Sequence, residues 1–162
     1  MLARSTERRD PLTRPQSSWV PRGAAPGYDR AVTTDDPGVG GLAGLLGIRR
    51  RSLAAGACCF EVTIRPEHMN PYGVVHGGIV YTLVDYAMGG AMASRLEPGE
   101  RCATLEVKIQ YLAPVVEGDV RAEARLVERT RRIGVLEARA YAGADRLVAL
   151  ATGTFYVHSP AS

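Results

Sequence analysis

The sequence of 162 residues has little of several features that mark large classes of protein. It contains one lysine, Lys108, so nearly all of its positive charge is arginine, and its formal net charge is only +3. A charge this small does not favour a nucleic-acid partner. Its three cysteines, Cys58, Cys59 and Cys102, form no Cys-x-x-Cys pair and no His/Cys spacing typical of a metal site. We therefore expect buried, reduced thiols, no metal and no redox cofactor.

Long hydrophobic runs are also lacking. The most apolar segment, Ile79 to Ala93, is shorter than the roughly 20 residues that a membrane-spanning helix needs, and it contains Asp85. The N-terminus has no apolar signal core. These features predict a soluble, cytoplasmic protein with no membrane partner. With 46% hydrophobic residues, the chain is still long enough for one domain with a core.

The composition divides the chain into two parts. Residues 1–36 carry four prolines among Arg, Ser and Gly, without apolar periodicity, which predicts a disordered extension. Residues 37–160 form the predicted domain. Asp36-Pro37 offers a cap and a first-turn proline for a short helix from Val39 to Leu46.

The domain has the pattern of an α+β fold. In residues 103–111, apolar Ala, Leu, Val, Ile and Tyr alternate with polar residues, a period of two that predicts a strand. Similar arguments predict one apolar helix at 78–96 and strands at 48–54, 57–64, 103–111, 120–126, 133–141 and 147–157. The last of these has little polar content and should be central. Because a sheet must bury one face, we expect an antiparallel sheet wrapped around the single long helix.

Asp85 is the one carboxylate within the apolar helix. Burying a lone charge costs free energy unless a partner compensates. Catalysis is one reason to tolerate that cost. The alternative is a structural aspartate that is hydrogen-bonded to backbone or lies at a wet interface. The residue by itself leaves both interpretations open.

The motif around the helix start resembles a known family. His-Met-Asn-Pro-Tyr-Gly-Val-Val-His-Gly-Gly at 68–78 is followed by Asp85, by Ala-Thr-Leu-Glu-Val at 103–107 and by Tyr-Leu-Ala-Pro at 111–114. This combination resembles the hotdog-fold acyl-CoA thioesterases, and most closely their phenylacetate-pathway subfamily, over residues 38–158. The resemblance implies a hotdog fold, hydrolysis of a CoA thioester to free acid and CoA, and a homodimer or dimer of dimers.

The same resemblance implies roles for four residues. The backbone N–H of Gly77 would donate to the thioester oxygen, and Asp85 would act as nucleophile or general base. Asn70 would orient the attacking water or the acid, and Thr104 would help to hold that water. Two alternatives stay open: Asn70 could simply cap the turn before Pro71, and Thr104 lies on the polar face of its strand. A role for Thr104 near the core would need a bulge or the surface of a partner.

Substrate contacts are predicted at the helix start, in the helix and at one turn. His76 and Gly78 belong to the substrate-binding loop, where His76 braces the loop and is not a base. Tyr81, Met88 and Tyr111 are core by default, with an acyl pocket as the alternative. Arg131 and Arg132 cluster at a strand turn, where they are either solvated charges or ligands of the CoA phosphates. The alternative phosphate ligands are Arg49, Arg50 and Arg51, at the start of the first strand of the neighbouring chain.

The helix geometry favours a site shared by two chains. Asp85 follows Gly77 by eight residues, or about 12 Å along a helix. One thioester carbon does not easily meet both groups within one subunit, whereas a two-fold dimer can pair Gly77 of one chain with Asp85 of the other. The rival functions are a non-catalytic acyl-CoA-binding hotdog protein, in which Asp85 is inert, and a hotdog dehydratase, whose His-Phe-Pro loop is missing here. The acyl group is left open.

Overall fold

The computed structural model describes residues 40–158, which form one antiparallel sheet and one long helix. The predicted extension at 1–36 lies outside the described residues. A single 3₁₀ turn, Pro66–His68, precedes the long helix. The elements in chain order are α1 Leu42–Leu46, β1 Arg49–Ala54, β2 Ala57–Thr63, α2 Gly77–Ala93, β3 Arg101–Tyr111, β4 Asp119–Arg129, β5 Ile133–Ala142 and β6 Arg146–His158.

The six strands lie in the order β1-β2-β4-β5-β6-β3, and every neighbouring pair is antiparallel. The predicted α+β class and the antiparallel sheet around one long helix are therefore confirmed. β6 lies between β5 and β3, as its apolar composition predicts. Within the described residues, β1 and β3 form the two edges of the sheet.

The core lies between α2 and one face of the sheet. The helix buries Leu83, Ala87 and Met88 completely. The sulfur of Met88 faces Gly153 of β6, and that of Met92 faces Gly134 of β5, where a Cβ on either glycine would collide with it. The sheet therefore approaches the helix closely because these strand positions have no side chain.

The long helix ends at Ala93, three residues before the predicted end. The hydroxyl of Ser94 donates to the carbonyl of Ala91 at 2.7 Å and accepts the N–H of Gly56 at 2.8 Å. This pair of bonds closes the last turn and attaches it to the turn between β1 and β2. The Ser94 hydroxyl competes with the backbone hydrogen bonds of the helix, which explains why α2 ends earlier than predicted.

The predicted alternation along β3 is wrong in its first half. The pairing of β3 with β6 is irregular between Thr104 and Glu106, where the register shifts by one residue. Val107 and Ile109 pack against the core, whereas Leu105 is 60% exposed. A bulge of this kind reverses which side chains face the helix on its two sides.

The three cysteines of the described region lie in or beside the core. Cys58, Cys59 and Cys102 are free; the first two are buried and the third is half-buried. No cluster of three or more His, Cys, Asp or Glu side chains suited to a metal ion occurs within residues 40–158. In the same range, no helix has the length and apolar character needed to cross a membrane.

Candidate active site

Asp85 lies in the middle of α2 and is half-buried. Its Oδ1 atom accepts a hydrogen bond of 2.9 Å from the hydroxyl of Thr104 on β3. The carboxylate is thus held by a side chain from an edge strand, and no backbone group in the described part of the chain binds it. A carboxylate that accepts one hydrogen bond keeps its other lone pairs open, so it can still accept a proton or attack a carbon.

The β3 bulge explains how Thr104 reaches this position. Simple alternation places Thr104 on the polar face of the strand, away from the helix. The register shift that follows it lets Thr104 face α2 while Val107 and Ile109 still pack on the core. A core-facing Thr104 needs a bulge or a partner surface, and the structure contains the bulge.

A cavity of about 360 Å³ opens beside Asp85 and Thr104. Its other lining residues are mostly apolar or small, and they come from α2 and from strands β1, β2, β3 and β6: Arg50, Phe60, Tyr86, Gly89, Gly90, Ala93, Cys102, Ala103 and Phe155. Burial raises the pKa of the Cys102 thiol, and the charge of Asp85 raises it further. Cys102 is therefore an uncharged neighbour of the carboxylate at neutral pH.

The start of α2 forms a second polar feature. The Nδ1 atom of His76 accepts the N–H of Gly78 at 2.9 Å, so His76 is the N-cap of the helix. This agrees with a bracing histidine. The N–H of Gly77 has no hydrogen-bond partner among residues 40–158. A free N–H at a helix N-terminus, where the dipole is positive, suits an oxygen that gains negative charge.

Tyr111 covers the helix start, which the sequence analysis did not foresee. Its hydroxyl donates to the carbonyl of Gly77 at 2.9 Å, and a Cβ on Gly77 would lie 3.1 Å from the ring. Tyr111 is 53% exposed and so is not the core residue expected by default. No signal in the sequence connects two residues 34 positions apart; the sheet topology alone brings the end of β3 to the start of α2.

Gly77 lines a separate, mainly apolar cavity of about 390 Å³. Its walls include Val75, Val80 and Tyr111. Asp85 is not among the lining residues of this cavity, and Gly77 is not among those of the Asp85 cavity. One chain therefore presents the two predicted catalytic groups in two different places.

Asn70 holds the loop that precedes the helix. Its side-chain oxygen accepts the N–H of Tyr72 at 2.9 Å and that of Val74 at 3.4 Å. This geometry is that of the turn-capping alternative. Asn70 lines neither of the two cavities. Its predicted role in orienting water or acid stays a prediction.

The remaining predicted contacts are scattered. Tyr81 is 37% exposed on α2, and Met88 is completely buried against Gly153. Neither residue lines the two cavities. For Met88 the core interpretation therefore replaces the acyl-pocket one, because its sulfur is already enclosed by the sheet.

The arginines at the β4–β5 turn also lie apart from both cavities. Arg131 is exposed, and Arg132 donates to the hydroxyl of Tyr156 at 3.1 Å. Arg129 forms an ion pair with Glu100. The phosphate-binding role of Arg131 and Arg132 stays a prediction. Arg50, one of the alternative phosphate ligands, does line the Asp85 cavity.

Comparison with known proteins places this architecture in a family. Residues 72–149, which include Gly77, Asp85 and Thr104, match the thioesterase superfamily. A candidate esterase of Saccharolobus solfataricus is 32% identical over 113 residues, which cover 70% of this chain and 75% of that protein. The 1,4-dihydroxy-2-naphthoyl-CoA hydrolase of Listeria monocytogenes is 26% identical over 117 residues, covering 72% and 95% of the two chains.

Solved structures show the same fold. A conserved protein of Pseudomonas aeruginosa superposes with a TM-score of 0.71 and 34% identity, over 75% of this chain and 97% of that one. The E. coli PaaI protein, from the phenylacetic acid degradation operon, gives a TM-score of 0.66 at 25% identity, over 70% and 81% of the two chains. Since the sequence match includes both the helix start and the helix acid, and the sheet and helix superpose on those of solved relatives, this chain belongs to the thioesterase superfamily of hotdog-fold hydrolases.

Proposed function

We propose that the protein hydrolyses an acyl-CoA thioester to a free carboxylic acid and CoA, with the Asp85 carboxylate as general base or nucleophile. The observation that carries the proposal is the Asp85 carboxylate, which Thr104 holds at 2.9 Å beside an open, largely apolar cavity. The names of the similar proteins support a CoA thioester, because one is a naphthoyl-CoA hydrolase and another belongs to a phenylacetic acid operon.

The chemistry has two possible first steps. As a general base, Asp85 accepts a proton from water while the water oxygen attacks the thioester carbon. As a nucleophile, an Asp85 oxygen attacks that carbon and forms a mixed anhydride, which water then hydrolyses. In both cases the C–S bond breaks, CoA leaves as the thiolate, and the Gly77 N–H stabilises the intermediate oxyanion.

Isotope labelling can establish the nucleophilic route, because label in Asp85 arises only if the mixed anhydride forms and water attacks the Asp85 carboxyl carbon. A single turnover in H₂¹⁸O labels only the product acid if Asp85 is a general base. If Asp85 is the nucleophile and water attacks its carboxyl carbon, the label appears in the Asp85 side chain. Peptide mass spectrometry of the enzyme after one turnover reads out this difference.

We also propose that each active site combines Asp85 of one protomer with Gly77 of another. The two groups line different cavities within one chain. β3 pairs only with β6 among the described strands, so its other edge has free backbone groups along 11 residues. Leu105 on this edge is 60% exposed. A long edge strand with exposed apolar side chains favours pairing with another chain.

The test of the function is release of free thiol from a panel of acyl-CoA esters. Wild-type protein should hydrolyse at least one ester, and Asp85→Asn should lower kcat about a hundredfold or more, the scale on which general acid–base groups act. Circular dichroism and the melting temperature should stay unchanged in that variant. Folded Asp85→Asn protein with full activity would remove Asp85 from the mechanism. Ester binding with no wild-type hydrolysis would favour the non-catalytic binding protein.

A further inference from the structure

Three consecutive arginines begin β1, and the strand sends them to opposite faces of the sheet. Arg49 Nε and Arg51 Nη1 donate to the carboxylate of Glu61, at 2.9 and 2.7 Å. Arg50 lies between them and pairs across the strand with Phe60, which is buried on the inner face. Because residues opposite each other on paired strands share a face, Arg50 points inward, towards α2.

An inward arginine is unusual on this sheet, whose inner face is mostly apolar. Arg50 is half-buried and lines the same cavity of about 360 Å³ as Asp85. The walls of the same cavity include the aromatic residues Phe60, Tyr86 and Phe155. The cavity therefore has an acidic group, an apolar body and a cationic group.

The charge of Arg50 acts on the buried thiol of Cys58. Burial raises the pKa of the Cys58 thiol to about 12, and Arg50 opposes that rise. Cys58 lies against the backbone of Gly90 in α2, where a Cβ would come within 2.6 Å of its sulfur. The guanidinium is therefore within electrostatic reach of the helix face that lines the cavity.

We propose that Arg50 is a specificity residue that binds a carboxylate at the far end of the acyl group. The inference rests on the proposed function and names its substrate class: CoA thioesters of acids with a second carboxylate beyond an apolar body. The thioester carbon must lie at Asp85, so the acyl group extends from there into the cavity. A second carboxylate beside Asp85 would be repelled, whereas one beside Arg50 gains a charge-assisted contact.

The apolar walls define the rest of the substrate. Phe60 and Tyr86 both line the cavity and pack against each other, with ring centroids 5.7 Å apart and a tilt of 45°, so this part of the wall is aromatic. Gly89 and Gly90 have no side chains to occupy this part of the cavity. An apolar body with one polar tip is the ligand that such a pocket selects.

The experiment compares two pairs of substrates that differ only at the tip. The pairs are 4-carboxybenzoyl-CoA with 4-methylbenzoyl-CoA, and adipoyl-CoA with hexanoyl-CoA. For at least one pair, wild-type protein should prefer the carboxylate by roughly tenfold or more in kcat/KM, as expected for hydrogen bonds to charged groups. Arg50→Gln should abolish this preference, and Arg50→Lys should retain part of it because the charge remains without the fork. Arg49→Gln, on the outer face, is the matched control and should keep the preference.

Two results would overturn the inference. Wild-type protein with no preference in either pair has no carboxylate site. Equal losses on both members of each pair in Arg50→Gln would show that Arg50 acts on the CoA portion or on the fold.

A binding measurement keeps the inference separate from the proposed function. Terephthalate and 4-methylbenzoate are titrated calorimetrically into wild-type, Arg49→Gln and Arg50→Gln proteins. Wild-type and Arg49→Gln proteins should bind terephthalate more tightly than 4-methylbenzoate. Arg50→Gln protein should bind the two acids equally. If wild-type protein hydrolyses no ester, the proposed function fails, and this titration still decides on Arg50: equal binding of the two acids would refute the carboxylate site.

Discussion

At the scale of single residues, the contact between Thr104 and Asp85 is the one on which the proposed chemistry depends most directly. The two residues belong to an edge strand and to the central helix, and a hydroxyl donor meets a carboxylate oxygen at 2.9 Å. The bond orients the carboxylate and leaves its other lone pairs open to water or substrate. Removing the hydroxyl while keeping the side-chain shape should therefore affect catalysis more than folding.

A matched pair of variants tests this contact. Thr104→Val removes the hydroxyl at nearly constant shape and should lower kcat about tenfold, the low end for a hydrogen bond to a charged group because Thr104 is exposed. Thr104→Ser keeps the donor and should retain most of the activity. Steady-state thiol release measures both variants. Equal activities of the Val and Ser variants would show that the hydroxyl has no part in the reaction.

The buried thiols of β2 predict how stability depends on pH. Burial is the largest cause that raises the pKa of both Cys58 and Cys59 to about 12, from an ordinary value of 9.0. The raised value favours the protonated thiol in the folded protein, so this stabilisation is complete below pH 9. It should be lost between pH 9 and pH 12, as unfolded thiols ionise while folded ones do not.

The slope of this loss is measurable. Each thiol should lower the free energy of unfolding by about 1.4 kcal/mol per pH unit within that range. Urea midpoints at pH 8, 9, 10 and 11 give the slope, and Cys58→Ala should reduce it compared with wild type. An unchanged slope in Cys58→Ala would contradict the assignment to that thiol.

At the scale of elements, α2 combines an apolar surface with two adjacent glycines that have different surroundings. A Cβ on Gly89 would meet Phe155 at 3.8 Å, which is ordinary van der Waals contact. A Cβ on Gly90 would lie 2.6 Å from the sulfur of Cys58 and 3.3 Å from the ring of Phe60. The helix therefore needs glycine at position 90 because β2 packs closely there, and not for flexibility.

Alanine at the two positions should have opposite effects. Gly89→Ala should raise the free energy of unfolding by about 0.5–1 kcal/mol, since alanine is the better helix former. Gly90→Ala gains the same propensity but overpacks the core, which typically costs about 1–3 kcal/mol, so it should be destabilising in sum. Urea denaturation measures both variants. Cys58→Ala should rescue part of the Gly90→Ala loss, and the absence of any rescue would rule out the clash with the sulfur.

At the scale of the whole molecule, the proposed active site is complete only when two chains meet. The free N–H of Gly77 and the carboxylate of Asp85 lie at different cavities of one protomer. The exposed edge of β3 carries Leu105, and Tyr81 is exposed on α2. A two-fold contact through this edge would form two equivalent sites.

Mixed dimers test the shared site. Asp85→Asn and Gly77→Val proteins should each be nearly inactive, the second because its side chain displaces Tyr111 and blocks the N–H. After subunit exchange, about half of the dimers are hybrids with one intact site of two, so about a quarter of wild-type activity should return. Asp85→Asn mixed with Asp85→Ala is the control and should stay inactive. Confirmed exchange without recovered activity would refute the shared site.

A charged substitution on β3 tests whether this edge of the sheet forms the dimer interface. Leu105→Lys should leave the protomer folded but shift sedimentation from dimer to monomer, because a lysine on an edge strand opposes pairing. Leu45→Lys is the matched control, since Leu45 is 74% exposed on α1 and far in sequence from β3. A dimer that persists in Leu105→Lys would place the interface elsewhere.

Sequence patterns were enough to locate the helices and strands and to identify the family. Apolar periodicity located every strand and the long helix to within a few residues, because burial of one face imposes a period of two or the continuous apolar character of a core helix. The spacing of the glycines, His76 and Asp85 identified the family, which the comparisons then confirmed. These are local properties, which neighbouring residues in the chain are enough to specify.

The contacts between distant residues follow from the three-dimensional fold. The β3 bulge reverses the alternation at Thr104, the end of β3 brings Tyr111 to Gly77, and strand pairing turns Arg50 inward. Met88, expected as core or pocket, is enclosed against Gly153. Each of these contacts joins residues that are distant in sequence and depends on strand order and register. Local patterns carry no record of that order, because the packing of the whole sheet on the helix selects it.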